Sequence, residues 1–387
     1  MLGYIVRGPL GGLAWHHLQY VLGLARLGHE IYFFENSDDY PSCYNPATNS
    51  MQTDPSYGLA FASDTFTALG LPDNWAYYDA HAGQWLGPAA HRALEICASA
   101  DLLLNISGVN PLRGWFERVQ VRVLIDTDPV FLQVRHLQNE RARKNAAQHT
   151  VFLSFGENIG GIAALPDDGF PWVPTRQPIV LDSWPVTQGP KDGKFTTVMQ
   201  WESYAPAQYG GRIYGMKSMS FDPYRDLPSK APASFELAIG NPPPDLADRG
   251  WSLRNPLEVT KDPWTYQSFI IQSKAEFSVA KHGYVASHSG WFSERSACYL
   301  ACGRPVLVQD TGFSQWLPTG RGVIAYSTPD QALEGVEEIN SQYLRHCASA
   351  REIAETYFDS ENVLNQLLAA VHNKQSPAKN RTDARIR

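Results

Sequence analysis

Adjacent imidazoles, His16 and His17, follow the glycine-containing turn "RGPLGG" and lie inside the amphipathic run "LAWHHLQYVLGLARLG". Near a helix N-terminus the local field favours neutral imidazole, the state a general base needs. Either ring could take a proton from a substrate, or serve a structural or purely binding role. The bare amides at the same helix start, around Gly11 and Gly12, can hold a phosphate or let a substrate approach the backbone. The turn has neither GxGxxG spacing nor the lysine of a GxxxxGK(S/T) loop, so neither nicotinamide nor ATP binding follows.

Carboxylates appear next, in "LIDTDP", where Asp126 and Asp128 stand beyond an apolar strand, the place where open α/β sheets collect ligands. Asp128 is a candidate base; in the competing reading Asp126 orders the loop and Asp128 caps the following helix before Pro129. Glu157 in "FGENIG" can accept from a sugar hydroxyl or bond nearby amides.

The densest signal is "HGYVASHSGWFSERSACYLACGRPVLVQDTG". His288, Ser289 and Gly290 occupy a loop, Ser293 can cap a helix that opens with Glu294 and Arg295, and Gly303 stops it before a strand. Free amides and Ser293 suit anionic oxygens, Arg295 offers a fork of donors, and Glu294 can accept from ribose hydroxyls, although Glu favours a helix start without any ligand. Thr311 and Gly312 lie at the next strand exit, and "YGGRIYGMKS" adds Arg212 and Lys217 as cations that could oppose a pyrophosphate.

These groups need a scaffold, and the pattern predicts α/β architecture. "LGYIV", the glycine turn, the amphipathic run closed by Gly28, and "HEIYFFE" read as strand, loop, helix and strand. Strand-then-polar-loop units recur at "ADLLLNIS", "VQVRVLIDTDP" and "HTVFLSFGENIG". "GPKDG" then precedes a second start at "GKFTTVMQW", with further strands at "SFELAIGN" and "GRPVLVQD". The expected division is a Rossmann-like domain over 1–185, a second over 190–371 and a flexible tail over 372–387.

Composition bounds the rest. At 387 residues, 43% hydrophobic and 18% charged, the chain is long enough for two ordered cores. A net charge of −7 gives no general attraction to nucleic acid or an anionic membrane. The five scattered cysteines lack the spacing of a zinc or iron–sulfur site and point to a reducing cytoplasm. Cys298 and Cys302 read as small core residues, no metal is assigned, and no apolar window is long enough to span a membrane.

The chain resembles GT-B glycosyltransferases, especially sporulation-protein CgeB-like enzymes and the broader families 1 and 4. The likeness lies in "GGLAWHHLQYVLGLARLGHEIYFFE", in "HSGWFSERSACYLACGRPVL" and in the ending "REIAETYFDSENVLNQLLAAV", whose last helix in this fold often crosses back to the first domain. Cys298 stands where many members carry the ribose-binding Glu, which leaves that role to Glu294. The resemblance implies two Rossmann-like domains facing a cleft, with the acceptor on the first and the nucleotide sugar, a UDP-sugar by default, on the second. It implies inverting transfer to a hydroxyl, with His17, His16 or Asp128 as base and no added cofactor or metal. The expected acceptor is a small molecule or glycan, with nucleic acid as a further alternative. An NDP-sugar epimerase or hydrolase, or a non-catalytic nucleotide-sugar-binding protein, would use the same cleft.

Overall fold

The computed structural model describes residues 1–231 and 233–375. The first sheet is built from β1 (Phe33–Asn36), β2 (Trp75–Asp79), β3 (Gln84–Leu86), β4 (Leu102–Ile106), β5 (Val121–Asp126), β6 (Val151–Ser154) and β7 (Trp172–Pro174). The groups β3-β2-β1 and β4-β5-β6-β7 are joined through Leu2, which bridges Phe34 on one side and Asn105 on the other. All pairs are parallel except the β2–β3 hairpin. With Leu2 counted as the first strand and the edge strands β3 and β7 set aside, the order is 3-2-1-4-5-6, the doubly wound arrangement.

The expected strand over residues 2–6 shrinks to that one bridge residue. The amides of Val6 and Arg7 donate to the buried Glu35 carboxylate, each at 2.7 Å, so they are withdrawn from strand pairing. α1 (Gly11–Arg26) follows and buries Ala14, Leu18, Val21 and Leu24 at helical spacing; Gly28, at φ 85°, ends it. After β5 come α2 (Phe131–Gln138) and α3 (Glu140–Ala146).

The second sheet contains β8 (Phe195–Gln200), β9 (Phe235–Gly240), β10 (Ser252–Arg254), β11 (Ala275–Ser278), β12 (Val306–Gln309) and β13 (Val323–Tyr326). Its order is β10-β9-β8-β11-β12-β13, parallel throughout, which is again 3-2-1-4-5-6. The apolar runs that form its middle, such as "AEFS" and "VLVQ", are buried on both faces because helices cover the sheet. Its helices include α4 (Lys217–Phe221), α5 (Pro263–Gln272), α6 (His282–Ser287) and α7 (Glu294–Ala301). α5 starts where Asp262 accepts from the Thr265 amide at 2.7 Å, with Pro263 in the first turn.

The halves share one apolar core. Trp15 of α1 packs on Trp184 at 5.1 Å between ring centres and donates to the Pro263 carbonyl at 2.8 Å. α8 (Ser360–Gln375) returns from the second domain to pack on α1, burying Leu364, Leu367 and Val371. Each such side chain contributes about 1.5–3 kcal/mol of apolar burial, so the crossing helix fixes the relation between the sheets. The tail expected from residue 372 gives its first part to α8, and 376–387 lies outside the described residues. Among the described residues no helix is long and apolar enough to cross a membrane.

Candidate functional site

In a doubly wound sheet the strand order reverses between the first and fourth strands, and loops leaving the carboxyl ends there diverge to open a crevice. In the second domain that point lies between β8 and β11. Four of its charged groups gather nearby: Lys217 at the start of α4, Lys281 beyond β11, Arg295 on α7 and Glu276 within β11.

Lys217 is half-buried and makes no hydrogen bond or ion pair among the described residues. Desolvation, reinforced by the Arg295 and Lys281 charges, holds its ammonium well below the ordinary lysine range, against the opposing pull of Glu276. Arg295, expected to fork onto a diphosphate, turns into the sheet instead. It donates to Glu276 Oε1 at 2.7 Å, the Val198 carbonyl at 2.8 Å and Ser278 Oγ at 2.7 Å, tying β8 to β11.

Lys281 reaches across to the first domain. Its Nζ lies 2.9 Å from Asp128 Oδ1 and 2.7 Å from Tyr204 Oη, above the rings of Tyr204, Phe131 and Tyr284. Tyr204 and Tyr284 also donate their hydroxyls to Asp128. Asp128 is therefore a carboxylate with three donors drawn from the opposite domain. Neighbouring Asp126 is fully buried, accepts from Gln133 Nε2, Ser154 Oγ and the Asp128 amide, and is pushed up to about 6 by burial. It orders the loop, as one reading of "LIDTDP" had it, but Asp128, which that reading made the helix cap, gives its carboxylate to Lys281, Tyr204 and Tyr284 while Val130 flanks the start of α2. Val130 just beyond sits at φ 71°, a strained backbone for a β-branched residue, held by Gln133 Oε1 accepting from its amide.

The adjacent histidines part company. His17 is 0% exposed, its Nδ1 lies 2.7 Å from the Leu13 carbonyl, and its Nε2 accepts from the Tyr4 amide at 3.3 Å. The ring has no nitrogen left for a substrate, and it fills the space above Gly3, where a Cβ would come within 2.3 Å of it. His16 lies between Tyr4 and Phe155, its Nε2 is buried without a hydrogen-bond partner, and desolvation lowers its pKa to about 4.

Gly11 and Gly12 contact protein where a phosphate contact was expected. A Cβ on Gly11 would lie 2.2 Å from the Asp262 carbonyl oxygen, and one on Gly12 would lie 3.1 Å from the Tyr266 ring, so these glycines let α1 approach α5. The loop residues His288, Ser289, Gly290, Thr311 and Gly312 form a domain junction around Asn158. Asn158 Nδ2 donates to the carbonyls of His288 and Gly312 at 3.0 Å each, and its amide donates to the Ser289 carbonyl at 3.1 Å. The Gly290 amide donates to Thr311, the Thr311 hydroxyl donates to Trp291, and the His288 side chain is exposed. Arg212 stands exposed on a small hairpin strand, Arg212–Tyr214, rather than in a loop. Glu157 is paired with Arg176.

Ser293 flanks α7 without a side-chain capping bond, and its hydroxyl makes no hydrogen bond among the described residues. Glu294 is raised to about 7 by burial; its Oε1 accepts from the Cys298 thiol at 3.2 Å, a polar role for a cysteine read as core. Sequence reasoning passed over Lys281, Tyr204, Tyr284, Glu276 and Asn158. The available signal was position: "SVAKHG" and "WESYAP" leave the two strands between which the order reverses. Among the described residues no group of three or more His, Cys, Asp or Glu side chains is placed to hold a metal ion.

No protein-family model matches the chain, and no curated protein matches it. Solved structures do. An α-glucosyltransferase in complex with UDP-glucose and DNA containing an abasic site superposes with a TM-score of 0.58 at 11% identity, covering 96% of this chain and 98% of that one. The sucrose-phosphate synthase of Thermosynechococcus elongatus gives 0.50 at 11% identity, covering 96% and 98%. Anabaena HepE in complex with UDP-glucose gives 0.50 at 12% identity, covering 92% and 96%. With two doubly wound sheets arranged about a shared junction, the chain has the GT-B fold of these neighbours.

Proposed function

We propose that the protein is a glycosyltransferase that moves a sugar from a nucleotide-sugar donor, a UDP-sugar by default, to an acceptor hydroxyl. The observation that carries this reading is a desolvated, unpartnered Lys217 at the second domain's switch point. With Glu276 already paired to Arg295, a half-buried ammonium is under-compensated, and a diphosphate supplies the missing charge. UDP-glucose in two of the structural neighbours supports uridine diphosphate as the carrier.

The second domain holds the donor and the first the acceptor. Lys217 and Lys281 face the diphosphate, Lys281 exchanging Asp128 for it; the Ser293 hydroxyl and the first amides of α7 assist, and Glu294 accepts from the ribose. Arg212, Arg295 and the Asn158 junction support the site from outside or beneath.

His16 is the better base than His17, because its Nε2 is unpartnered. In the inverting reaction the acceptor hydroxyl gives its proton to His16 and its oxygen bonds the anomeric carbon. The bond from that carbon to the β-phosphate oxygen breaks as this happens, and its electron pair leaves with the diphosphate. Asp128 already accepts from three groups and serves to hold Lys281 until the donor arrives. The finer placement among CgeB-like or family 1 and 4 enzymes, a small-molecule or glycan acceptor, and a cytoplasmic site of action belong to the same reading.

The test is mass-resolved donor consumption by purified protein across UDP-, GDP-, CDP- and dTDP-sugars, with an extract containing small molecules, glycans and nucleic acids. A sugar-sized mass gain on one acceptor supports transfer. Free sugar, an isomerised donor, or donor binding without turnover would each replace it, with a hydrolase, an epimerase or a binding protein respectively.

A further inference from the structure

The first domain carries a cavity at its own switch point, between Leu2 and β4, of about 520 Å³. Two helices line it, α2 with Leu132, Arg135 and His136 and α3 with Arg141, Ala142, Asn145 and Ala146, while Asn139 stands at the break between them and His149 just beyond α3. A face turned toward a domain interior is ordinarily apolar, and here polar residues dominate it.

Two of these polar groups lack partners on the cavity side. His136 is 3% exposed, and its Nδ1 is held 2.7 Å from Asp168 Oδ2. Its Nε2, the nitrogen left for a ligand, makes no hydrogen bond among the described residues. Arg135, exposed at the cavity mouth, makes no hydrogen bond or ion pair among the described residues, whereas the cavity's other arginines are matched: Arg7 by Glu35, and Arg141 by Asp38 and Asp39. Asp168 also accepts from Trp172 Nε1 and from the Phe170 amide, which locks its carboxylate behind the imidazole. With Nδ1 committed to Asp168, Nε2 is the ring nitrogen left for a ligand, and the carboxylate fixes the orientation of the ring.

We propose that the acceptor carries an anionic group, a phosphoryl or a carboxylate, bound between Arg135 and His136. The inference rests on the transferase reading for the word acceptor, while the anion site itself does not depend on it. Arg135 supplies a planar fork and His136 a ring nitrogen held in place by Asp168, which can share a proton with the bound group, a combination that sets its orientation.

The experiment follows the His136 ring nitrogens by NMR while the full chain is titrated with inorganic phosphate and, separately, with acetate. Saturable movement of His136 is expected, with binding weakened about 10-fold or more in Arg135→Gln and partly restored in Arg135→Lys. Tighter phosphate binding identifies a phosphoryl acceptor, and tighter acetate binding a carboxylate. An unmoved His136 ring, or Arg135→Gln binding both anions like the parent, overturns the proposal. A parallel UDP titration reports on the second domain. Phosphate binding without UDP binding leaves the anion site standing and removes the transferase reading, and the reverse result removes only the anion site.

Discussion

The two switch points share a strand order and differ in how their charges are matched. In the first domain the buried Glu35 takes the amides of Val6 and Arg7 and the Arg7 side chain, so that crevice is largely satisfied by its own chain. In the second, Lys217 has no hydrogen-bond or ion-pair partner among the described residues, and Lys281 finds its counter-charge, Asp128, in the other domain. Equal topology therefore gives unequal electrostatics. The crevice left with surplus positive charge is suited to a dianionic leaving group, and the satisfied one to a more nearly neutral molecule with a localised charge.

The largest effect expected from breaking this contrast is at Lys217. Lys217→Met should lower donor kcat/KM by about 100-fold or more, since a charge facing a departing diphosphate contributes most in the transition state; steady-state kinetics on the identified donor measure it. A loss under about threefold would assign the surplus charge to Lys281 instead.

His16→Gln should cut kcat about 100-fold while leaving UDP affinity, read by calorimetry, unchanged. His17→Gln should instead lower thermal stability, because both of its ring nitrogens are bonded. NMR of the product anomer sharpens the point: inversion fits a single displacement with His16 as base, and retention removes that role.

His16 also leaves a mark on stability against pH. Its folded pKa of about 4 lies below the ordinary histidine value, so the unfolded chain binds the proton more readily. Stability from this group is present above about 6.5 and is lost as pH falls toward 4, by up to about 3 kcal/mol. Asp126 acts oppositely: its pKa is raised to about 6, so its contribution is present below the ordinary carboxylate value and is lost as pH rises through 6. Denaturant midpoints between pH 4 and 7 should show a shallower acid-side slope in His16→Gln than in the parent.

Gly11→Ala tests the contact between domains. The added Cβ meets the Asp262 backbone, which cannot swing aside, and a cost of about 1–3 kcal/mol is expected from overpacking; a lowered Tm is the readout, and an unchanged one would mean that α1 and α5 are less tightly apposed. The smallest effect belongs to Asp128→Asn. With Lys281 released, UDP should bind up to about tenfold tighter and kcat should change by less than about tenfold. A kcat loss of several hundred-fold would make Asp128 the base after all.

Much of the scaffold was legible from residue order. Continuous apolar runs ending in polar residues marked parallel strands, and Gly28 and Gly303 marked helix ends, because burial on two faces and left-handed backbone leave few residue choices. The strand expected at residues 2–6 failed because His17 takes the Tyr4 amide and Glu35, 29 residues away, takes the Val6 amide, contacts that periodicity does not register.

The candidate site was less legible, and the histidine pair shows why. Sequence placed His16 and His17 at the start of one helix, but consecutive helical residues point about 100° apart, so one is sealed under Gly3 and the other is left with a free nitrogen. The glycines of "RGPLGG" announced a close approach to backbone without saying that the visitor is Asp262. Likewise the polar residues around His288 and Thr311 announced a special loop, and only the fold brought Asn158 there to bind it.

By itself, then, the chain's residue pattern determined the alternation of strands and helices, the second strand start after "GPKDG" and the polar loops at strand exits, since each depends on local burial period and turn geometry. The tertiary structure alone decided which charges are matched. Lys217 is left bare, Arg295 is turned into the sheet and Lys281 is bound to Asp128 across 153 residues of chain, because pairing in a low-dielectric crevice depends on distances between elements that no spacing in the sequence encodes.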